Sequence, residues 1–143
     1  MHVIFRTDAS LKIGTGHVMR CITLAKALKE NSVNVEFICR KHDGNLVNRI
    51  RSNGFSVYEL DLLEGNVLDK KLSHSHWLGV TQQQDVDDCI NILKSKKTNW
   101  IIIDHYALDE DWQNKLKPFC EKIMVIDDLA DRKHQCDILL DQT

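Results

Sequence analysis

The sequence predicts an α/β fold in which a parallel sheet carries helices on both faces. Short apolar runs typical of strands alternate along the chain with segments whose apolar residues recur at helical spacing. This alternation implies right-handed βαβ crossovers, and hence a Rossmann-like, three-layer parallel sheet. We expect the strand order 3-2-1-4-5, with a sixth strand at the edge.

Six segments have the apolar composition of strands. The predicted strands are residues 2–8, 33–40, 55–60, 100–106, 122–129 and 136–142. The run WIIIDHY at 100–106 is the most apolar, as expected for a strand that is buried on both faces of a parallel sheet. Its composition therefore favours a place near the middle of the sheet.

Four segments have helical periodicity, namely 18–29, 45–54, 82–97 and 109–120. The second is expected to end at Gly54, because glycine commonly follows the last turn of a helix. The fourth should end near Pro118, which cannot continue a helix. Residues 60–80 lack a clear period and are expected to be mostly loop with short helical turns.

Composition sets limits on the class of protein. The 143 residues suggest one domain with a sizeable core, and a second domain could follow in a longer parent chain. A net charge of −2 does not indicate a nucleic-acid surface. No apolar run approaches the length of a membrane span, and Arg6 and Asp8 interrupt the region where a signal peptide is apolar. Five cysteines, an odd number without CxxC spacing, suit reduced thiols in the cytoplasm.

The predicted sheet indicates where a ligand would bind. In such folds ligands bind beyond the carboxyl ends of the strands, near the switch in strand order. That rule selects the loop 6–17 after the first strand, the triplet 104–106 after the fourth, and Asp127 with Asp128 after the fifth. These places also hold the densest polar groups of the chain.

The first of these places is a glycine loop, in which Gly14 and Gly16 flank Thr15 and His17 opens the helix. Glycine lets the backbone approach a ligand, and free N–H groups at a helix start suit a phosphate. The helix field should favour a neutral imidazole, which can act as a general base. The loop is not GxGxxG, because Met19 occupies the third glycine position, and it lacks a Walker lysine. A tight turn whose histidine merely caps the helix remains the alternative.

The second place combines a carboxylate, an imidazole and a phenol in Asp104, His105 and Tyr106. These groups could orient a sugar hydroxyl, a water molecule or a second histidine. Alternatively, Asp104 caps the following helix. Asp127 and Asp128, with Asp8, could form the acidic magnesium pocket of a receiver domain, although such carboxylates more often cap helices.

Two histidine-containing pairs suggest metal binding only weakly. His74 and His76 would share a face only on a strand, and further ligands are not obvious. His134 and Cys136 are more readily explained as a structural histidine and a buried thiol. Trp77 either packs under the loop or lines the cleft.

Several ordered motifs make the chain recognisable as similar to a known family. They are FRTDAS, IGTGHVMRCITLAKAL, IIIDHY and IDDLADRKHQCDILLDQT. Together they resemble the UDP-sugar hydrolases of pseudaminic acid biosynthesis, which act on UDP-2,4-diacetamido-2,4,6-trideoxy-β-L-altropyranose and are related to SpsG-type spore-coat proteins. The resemblance runs from Val3 to Thr143 and is weakest at 61–84.

The resemblance implies a GT-B architecture of two Rossmann-like domains, as in MurG-type glycosyltransferases. This chain would be the N-terminal domain, and a C-terminal domain of the same parent chain would hold most of the UDP. The implied reaction is hydrolysis at the anomeric carbon with inversion, in which His17 deprotonates water and neither a metal nor another cofactor takes part. A non-catalytic binding half and the acceptor half of a glycosyltransferase are the alternatives.

The resemblance also implies a set of substrate-binding residues. Tyr106 matches a family tyrosine near the sugar, and the loop around the base matches at Arg6, Asp8, Gly14 and Gly16. The glycine loop adds Thr15 to the predicted set, and the strand ends add Asp104, His105 and Asp127.

Overall fold

A computed structural model describes residues 1–62 and 71–142, which form a six-stranded parallel sheet in the order β3-β2-β1-β4-β5-β6. The strands are β1 His2–Thr7, β2 Asn34–Arg40, β3 Ser56–Leu60, β4 Thr98–Asp104, β5 Cys120–Ile126 and β6 Ile138–Leu140. The helices are α1 Gly16–Glu30, α2 Val47–Ser52, α3 Gln82–Leu93 and α4 Glu110–Leu116. The predicted α/β class and strand order are confirmed.

Helices pack on both faces of the sheet. Successive residues of a strand point to opposite faces, so Phe5 joins the core beneath α1 and α2, while Ile4 joins the core beneath α3 and α4. Ile101 and Ile103 of β4 share the second core with Trp112. The central strands are therefore buried on both sides, as the composition of WIIIDHY predicted.

Several elements are shorter than the sequence predicts. β4 ends at Asp104, so His105 and Tyr106 follow the strand instead of belonging to it. α4 ends at Leu116, and Pro118 lies in a 3-10 turn at Lys117–Phe119, because proline lacks the N–H that an α-helix needs. The predicted last strand, 136–142, is reduced to Ile138–Leu140.

The segment predicted to be mostly loop is described only in part. Its residues 63–70 lie outside the described residues. The remainder includes a 3-10 turn at Ser75–Leu78, as expected. Within residues 1–62 and 71–142, no helix is long and apolar enough to cross a membrane.

Strand register brings the predicted site together. Thr7 at the end of β1 pairs with Asp104 at the end of β4. The residues that follow β1, β4 and β5 therefore emerge along one edge of the sheet, next to the start of α1. This edge is where the ligand-binding rule for open α/β sheets places a site.

Candidate active site

A histidine and a carboxylate form the centre of the site. His17 is the second residue of α1 and Asp104 is the last residue of β4. Nδ1 of His17 lies 2.5 Å from Oδ1 of Asp104, with His17 8% exposed and Asp104 fully buried. Because a carboxylate accepts hydrogen bonds, we assign the donor role to Nδ1, and in the neutral ring the lone pair then lies on Nε2. The pair thus has the base-and-orienter arrangement found in catalytic triads.

Arg20 also binds Asp104, and it was not among the residues predicted from the sequence. It follows His17 by three residues, a spacing that places both side chains on one face of α1. Its Nη2 donates to Oδ1 of Asp104 at 2.7 Å, and its Nε donates to Oδ2. Its Nη1 donates to Asp128 at 2.6 Å. The hydrogen bond to Asp104, only partly opposed by burial, raises the pKa of Arg20 above its usual value.

Aromatic rings form one wall of the site. The ring of Tyr106 meets that of His17 edge-on, with centroids 4.4 Å apart. Trp77 stacks on Tyr106 at 5.8 Å, and His74 meets Trp77 at 4.5 Å. Partial burial raises the pKa of the Tyr106 phenol, so this group stays protonated at neutral pH. Of the two predicted roles for Trp77, the structure favours the one in which it lines the cleft.

The glycine loop leaves its backbone open to solvent. Gly14 has φ of +80° and donates its N–H to the carbonyl of Ser10 at 2.8 Å, which closes a tight turn. A Cβ at Gly16 would meet nothing within 4 Å beyond its chain neighbours and the backbone of its own helix. Thr15 precedes α1 and makes no side-chain cap bond. Packing within the protein therefore does not require glycine at position 16.

Two of the predicted binding residues lie underneath the site. Arg6 is 0% exposed and Asp8 is 1% exposed. Nη1 of Arg6 donates to Asp8 at 2.7 Å, and Nη2 donates to Asp85 at 2.7 Å. Burial opposes ionisation of Asp8, but Arg6 together with hydrogen bonds from His105 and His42 outweighs burial and holds the pKa of Asp8 well below its usual range. Both side chains face protein groups, so the geometry gives them a supporting position, and direct substrate contact stays a prediction.

His105 belongs to the same buried network. Its Nε2 lies 2.8 Å from Asp8, and its Nδ1 accepts a hydrogen bond from the N–H of Ala107 at 3.1 Å. Burial lowers the pKa of His105, which favours the neutral ring that this bonding pattern requires. His105 therefore stabilises the loop after β1 through its hydrogen bond with Asp8.

Asp127 and Asp128 point in different directions. Asp128 faces Arg20, and hydrogen bonds from the N–H of Gln142 and from Arg20 lower the pKa of Asp128. Asp127 instead lies 2.9 Å from Nε2 of His134 and pairs with Arg132 at 3.2 Å. The structure therefore brings Asp128, not Asp127, next to the base, and a substrate contact by Asp127 stays a prediction.

The remaining candidate pairs do not form a metal site. Among residues 1–62 and 71–142, no three His, Cys, Asp or Glu side chains are grouped so that they could hold a metal ion. His134 bonds to Asp127 and lies 2.9 Å from Gln113, which suits a structural histidine. The ring of His74 packs against Trp77, whereas His76 is exposed to solvent.

The fold and site define the chain as a Rossmann-like α/β domain with a cluster of polar side chains at the carboxyl edge of its sheet. It is similar in fold to the crystal structure of TcCGT1 in complex with UDP, a GT-B glycosyltransferase. The TM-score is 0.58 at 16% identity, and the match covers 87% of this chain and 28% of that chain. The predicted α/β, Rossmann-like fold is thereby confirmed for this domain, and the second domain of a GT-B architecture stays a prediction.

Sequence comparison supplies a more particular similarity, although no family model matches the chain. The chain is 32% identical over 141 residues to the UDP-2,4-diacetamido-2,4,6-trideoxy-β-L-altropyranose hydrolase of Campylobacter jejuni. This match covers 98% of the chain and 41% of that relative. An uncharacterised protein of Methanocaldococcus jannaschii is 26% identical over 127 residues, with 89% of this chain and 22% of that protein covered. The predicted resemblance to the hydrolases is confirmed, and the chain spans less than half the length of either relative.

Proposed function

We propose that this chain is the base-bearing domain of a hydrolase that releases UDP from a UDP-activated sugar. The observation that carries the proposal is the contact between His17 and Asp104 at the carboxyl edge of the sheet, 2.5 Å long. Asp104 holds the proton on Nδ1, so Nε2 is available to receive a proton from water. Similarity to the Campylobacter hydrolase supports the substrate class.

In the proposed reaction, Nε2 of His17 takes a proton from a water molecule as the water oxygen bonds to the anomeric carbon. The bond between that carbon and the phosphate oxygen breaks, and its electron pair leaves with UDP. Attack from the face opposite the leaving group inverts the anomeric configuration. The open backbone at Gly16 and the start of α1 offer N–H groups to the departing diphosphate.

The sugar would bind beside the aromatic wall. Trp77 and Tyr106 present ring surface and a phenol, and Trp77 also borders a recess of about 330 Å³. That volume lies within the range of small-molecule sites. Lys12, His42 and Asp43 contribute polar groups to the lining of the recess. This mixture of ring faces and polar groups suits a sugar that carries amide substituents.

The nucleotide would be bound mainly outside this chain. The chain spans 41% of the length of the Campylobacter hydrolase. We therefore propose that a C-terminal domain of the same parent chain binds UDP across the cleft. Binding energy from that domain would place the anomeric carbon against His17.

Replacement of His17 tests the proposal. His17→Gln in the longest polypeptide that the reading frame encodes should lower kcat for UDP release by about 10²- to 10⁴-fold, because it removes the general base. The substrate is UDP-2,4-diacetamido-2,4,6-trideoxy-β-L-altropyranose, and the melting temperature of each variant is measured alongside. His2→Gln is the matched control, because His2 lies at the opposite end of β1. Turnover retained in His17→Gln would contradict the role of His17.

Similarity of fold to TcCGT1 favours a glycosyltransferase as the second candidate. The two candidates differ in the atom that bonds to the anomeric carbon. In water labelled with heavy oxygen, a hydrolase places the label in the free sugar and none in UDP. Release of UDP that depends on an added acceptor would favour a glycosyltransferase. Sugar binding without turnover would favour a non-catalytic half.

A further inference from the structure

Arg20 binds the carboxylate that orients His17 with an unusually complete set of contacts. Two of its nitrogens reach the two oxygens of Asp104, and Nη2 shares Oδ1 with the imidazole. A planar guanidinium suits this two-point contact, which fixes the rotation of the carboxylate. The third nitrogen reaches Asp128, which the backbone N–H of Gln142 holds at 2.9 Å. Arg20 thus joins the ends of β4 and β5 at the base.

The charges around His17 show why such a contact matters. Asp104 on β4 touches the imidazole directly, and Asp128 beyond β5 interacts with it electrostatically. With Arg20 absent, two carboxylates would act on one ring and favour its protonated form, which cannot accept a proton. Arg20 on α1 offsets one of those charges.

The other groups near His17 add little charge of their own. Tyr106, on the loop after β4, stays neutral because burial raises its pKa. Cys21, on α1, lies 3.7 Å from Asp104 and stays a thiol because burial raises its pKa well above the usual value. His74 lies on the far side of Tyr106, with ring centroids 5.7 Å apart. The guanidinium carbon of Arg132 lies 5.6 Å from the centre of the Tyr106 ring, and its charge is offset by Asp127 at 3.2 Å and Asp131 at 2.5 Å.

We propose that Arg20 is a positioning residue, which fixes Asp104 toward His17 and keeps the imidazole able to accept a proton at neutral pH. The proposal rests on the proposed function of His17 as the base. It assigns Arg20 no contact with the substrate, because three of its nitrogens already bind protein carboxylates.

The kinetic test compares Arg20→Met, which removes the charge, with Arg20→Lys, which keeps it. In the longest encoded polypeptide, Arg20→Met should lower kcat at pH 7 by about tenfold. The acidic limb of its pH–kcat profile should move up by about one pH unit, the size expected for loss of one nearby charge. KM for the UDP-sugar should stay within about twofold. Arg20→Lys should restore at least half of the shift, and Lys26→Met, an exposed change on the same helix, should shift nothing.

A second measurement needs no substrate. The ring protons of His17 are followed by NMR as this 143-residue chain is titrated. The titration midpoint of His17 should rise by about one pH unit in Arg20→Met and remain unchanged in Lys26→Met. If the midpoint rises while His17→Gln retains turnover, the proposed function fails and the electrostatic role of Arg20 stands. If the midpoint does not move, the inference about Arg20 fails whatever the activity.

Two further outcomes bear on the inference. A large rise in KM with an unchanged pH profile would overturn it, since Arg20 would then bind the diphosphate directly. If Arg20→Met does not fold, Arg20→Gln replaces it, because glutamine keeps hydrogen-bond donors without the charge. The same shift in midpoint is required of that variant, and an unchanged midpoint overturns the proposal.

Discussion

Replacement of Asp85 by asparagine tests the buried ionic network that supports the site. Asp85 lies in the first turns of α3 and is fully buried. It accepts hydrogen bonds from Arg6 at 2.7 and 3.1 Å, from Arg40 at 2.7 Å and from the indole of Trp112 at 2.8 Å. Asparagine keeps the size of the side chain, removes its charge and directs an N–H₂ group at one of these donors.

The expected loss of stability follows from that geometry. Asp85→Asn leaves two buried guanidinium groups with too little negative charge nearby, and breaking a buried ion pair from one side typically costs about 3–5 kcal/mol. At roughly 3 °C per kcal/mol for a domain of this size, the melting temperature should fall by about 9–15 °C. Urea denaturation followed by tryptophan fluorescence measures the free energy of unfolding, since Trp112 lies within the network.

Asp87→Asn on the same helix is the matched control. Asp87 is exposed and accepts a hydrogen bond from Gln83 at 2.9 Å. Its replacement should change the free energy of unfolding by less than about 0.5 kcal/mol. If Asp85→Asn costs no more than this control, then the reasoning that the network stabilises the fold is refuted.

Three further predictions concern the network, the loop and the base. The pKa of Asp85 is held at about 2 and that of Asp8 well below its usual range. The stability that these two ionised carboxylates contribute is therefore present above about pH 4 and is lost as pH falls toward 2. Denaturation midpoints measured from about pH 7 to about pH 2.5 should fall over that range, and an unchanged midpoint would contradict the prediction. Gly14→Ala should destabilise the chain by about 1–2 kcal/mol, because φ at this residue is +80°. Gly16→Ala should leave the free energy of unfolding unchanged or higher. If a ligand approaches the backbone at Gly16, the same substitution should raise KM for the UDP-sugar. Asp104→Asn should lower kcat by about 10²- to 10⁴-fold by allowing the wrong tautomer of the base, and activity within threefold of the wild type would contradict the assignment.

Local patterns in the chain were sufficient to predict the order of elements and to select the sheet edge that holds the candidate site. Alternation of apolar runs with helical periodicity depends on near neighbours, and the handedness of βαβ crossovers then limits the sheet to few arrangements. The order β3-β2-β1-β4-β5-β6 agrees with that expectation. His17 was recognisable because it follows a glycine loop at the start of a helix, a local feature.

Element ends were less predictable because they depend on packing. WIIIDHY was expected to be a strand throughout, but pairing with β1 stops at Asp104. His105 then turns inward to Asp8, and Tyr106 turns toward His17. Which residues surround His105 and Tyr106 depends on how the strands and loops pack in the folded sheet. A pattern along the sequence does not contain that information.

By itself the sequence determined an α/β domain with polar groups gathered at one edge of its sheet. Only the tertiary structure decided which of those groups meet. The contact between His17 and Asp104 joins residues 87 positions apart, and Arg20, one turn further along α1, donates a hydrogen bond to the same carboxylate. Asp127 and Asp128 are adjacent in the chain, yet one binds His134 and the other binds Arg20. Hydrogen bonds reach only about 3 Å, so partners are chosen by packing in three dimensions and not by position in the sequence.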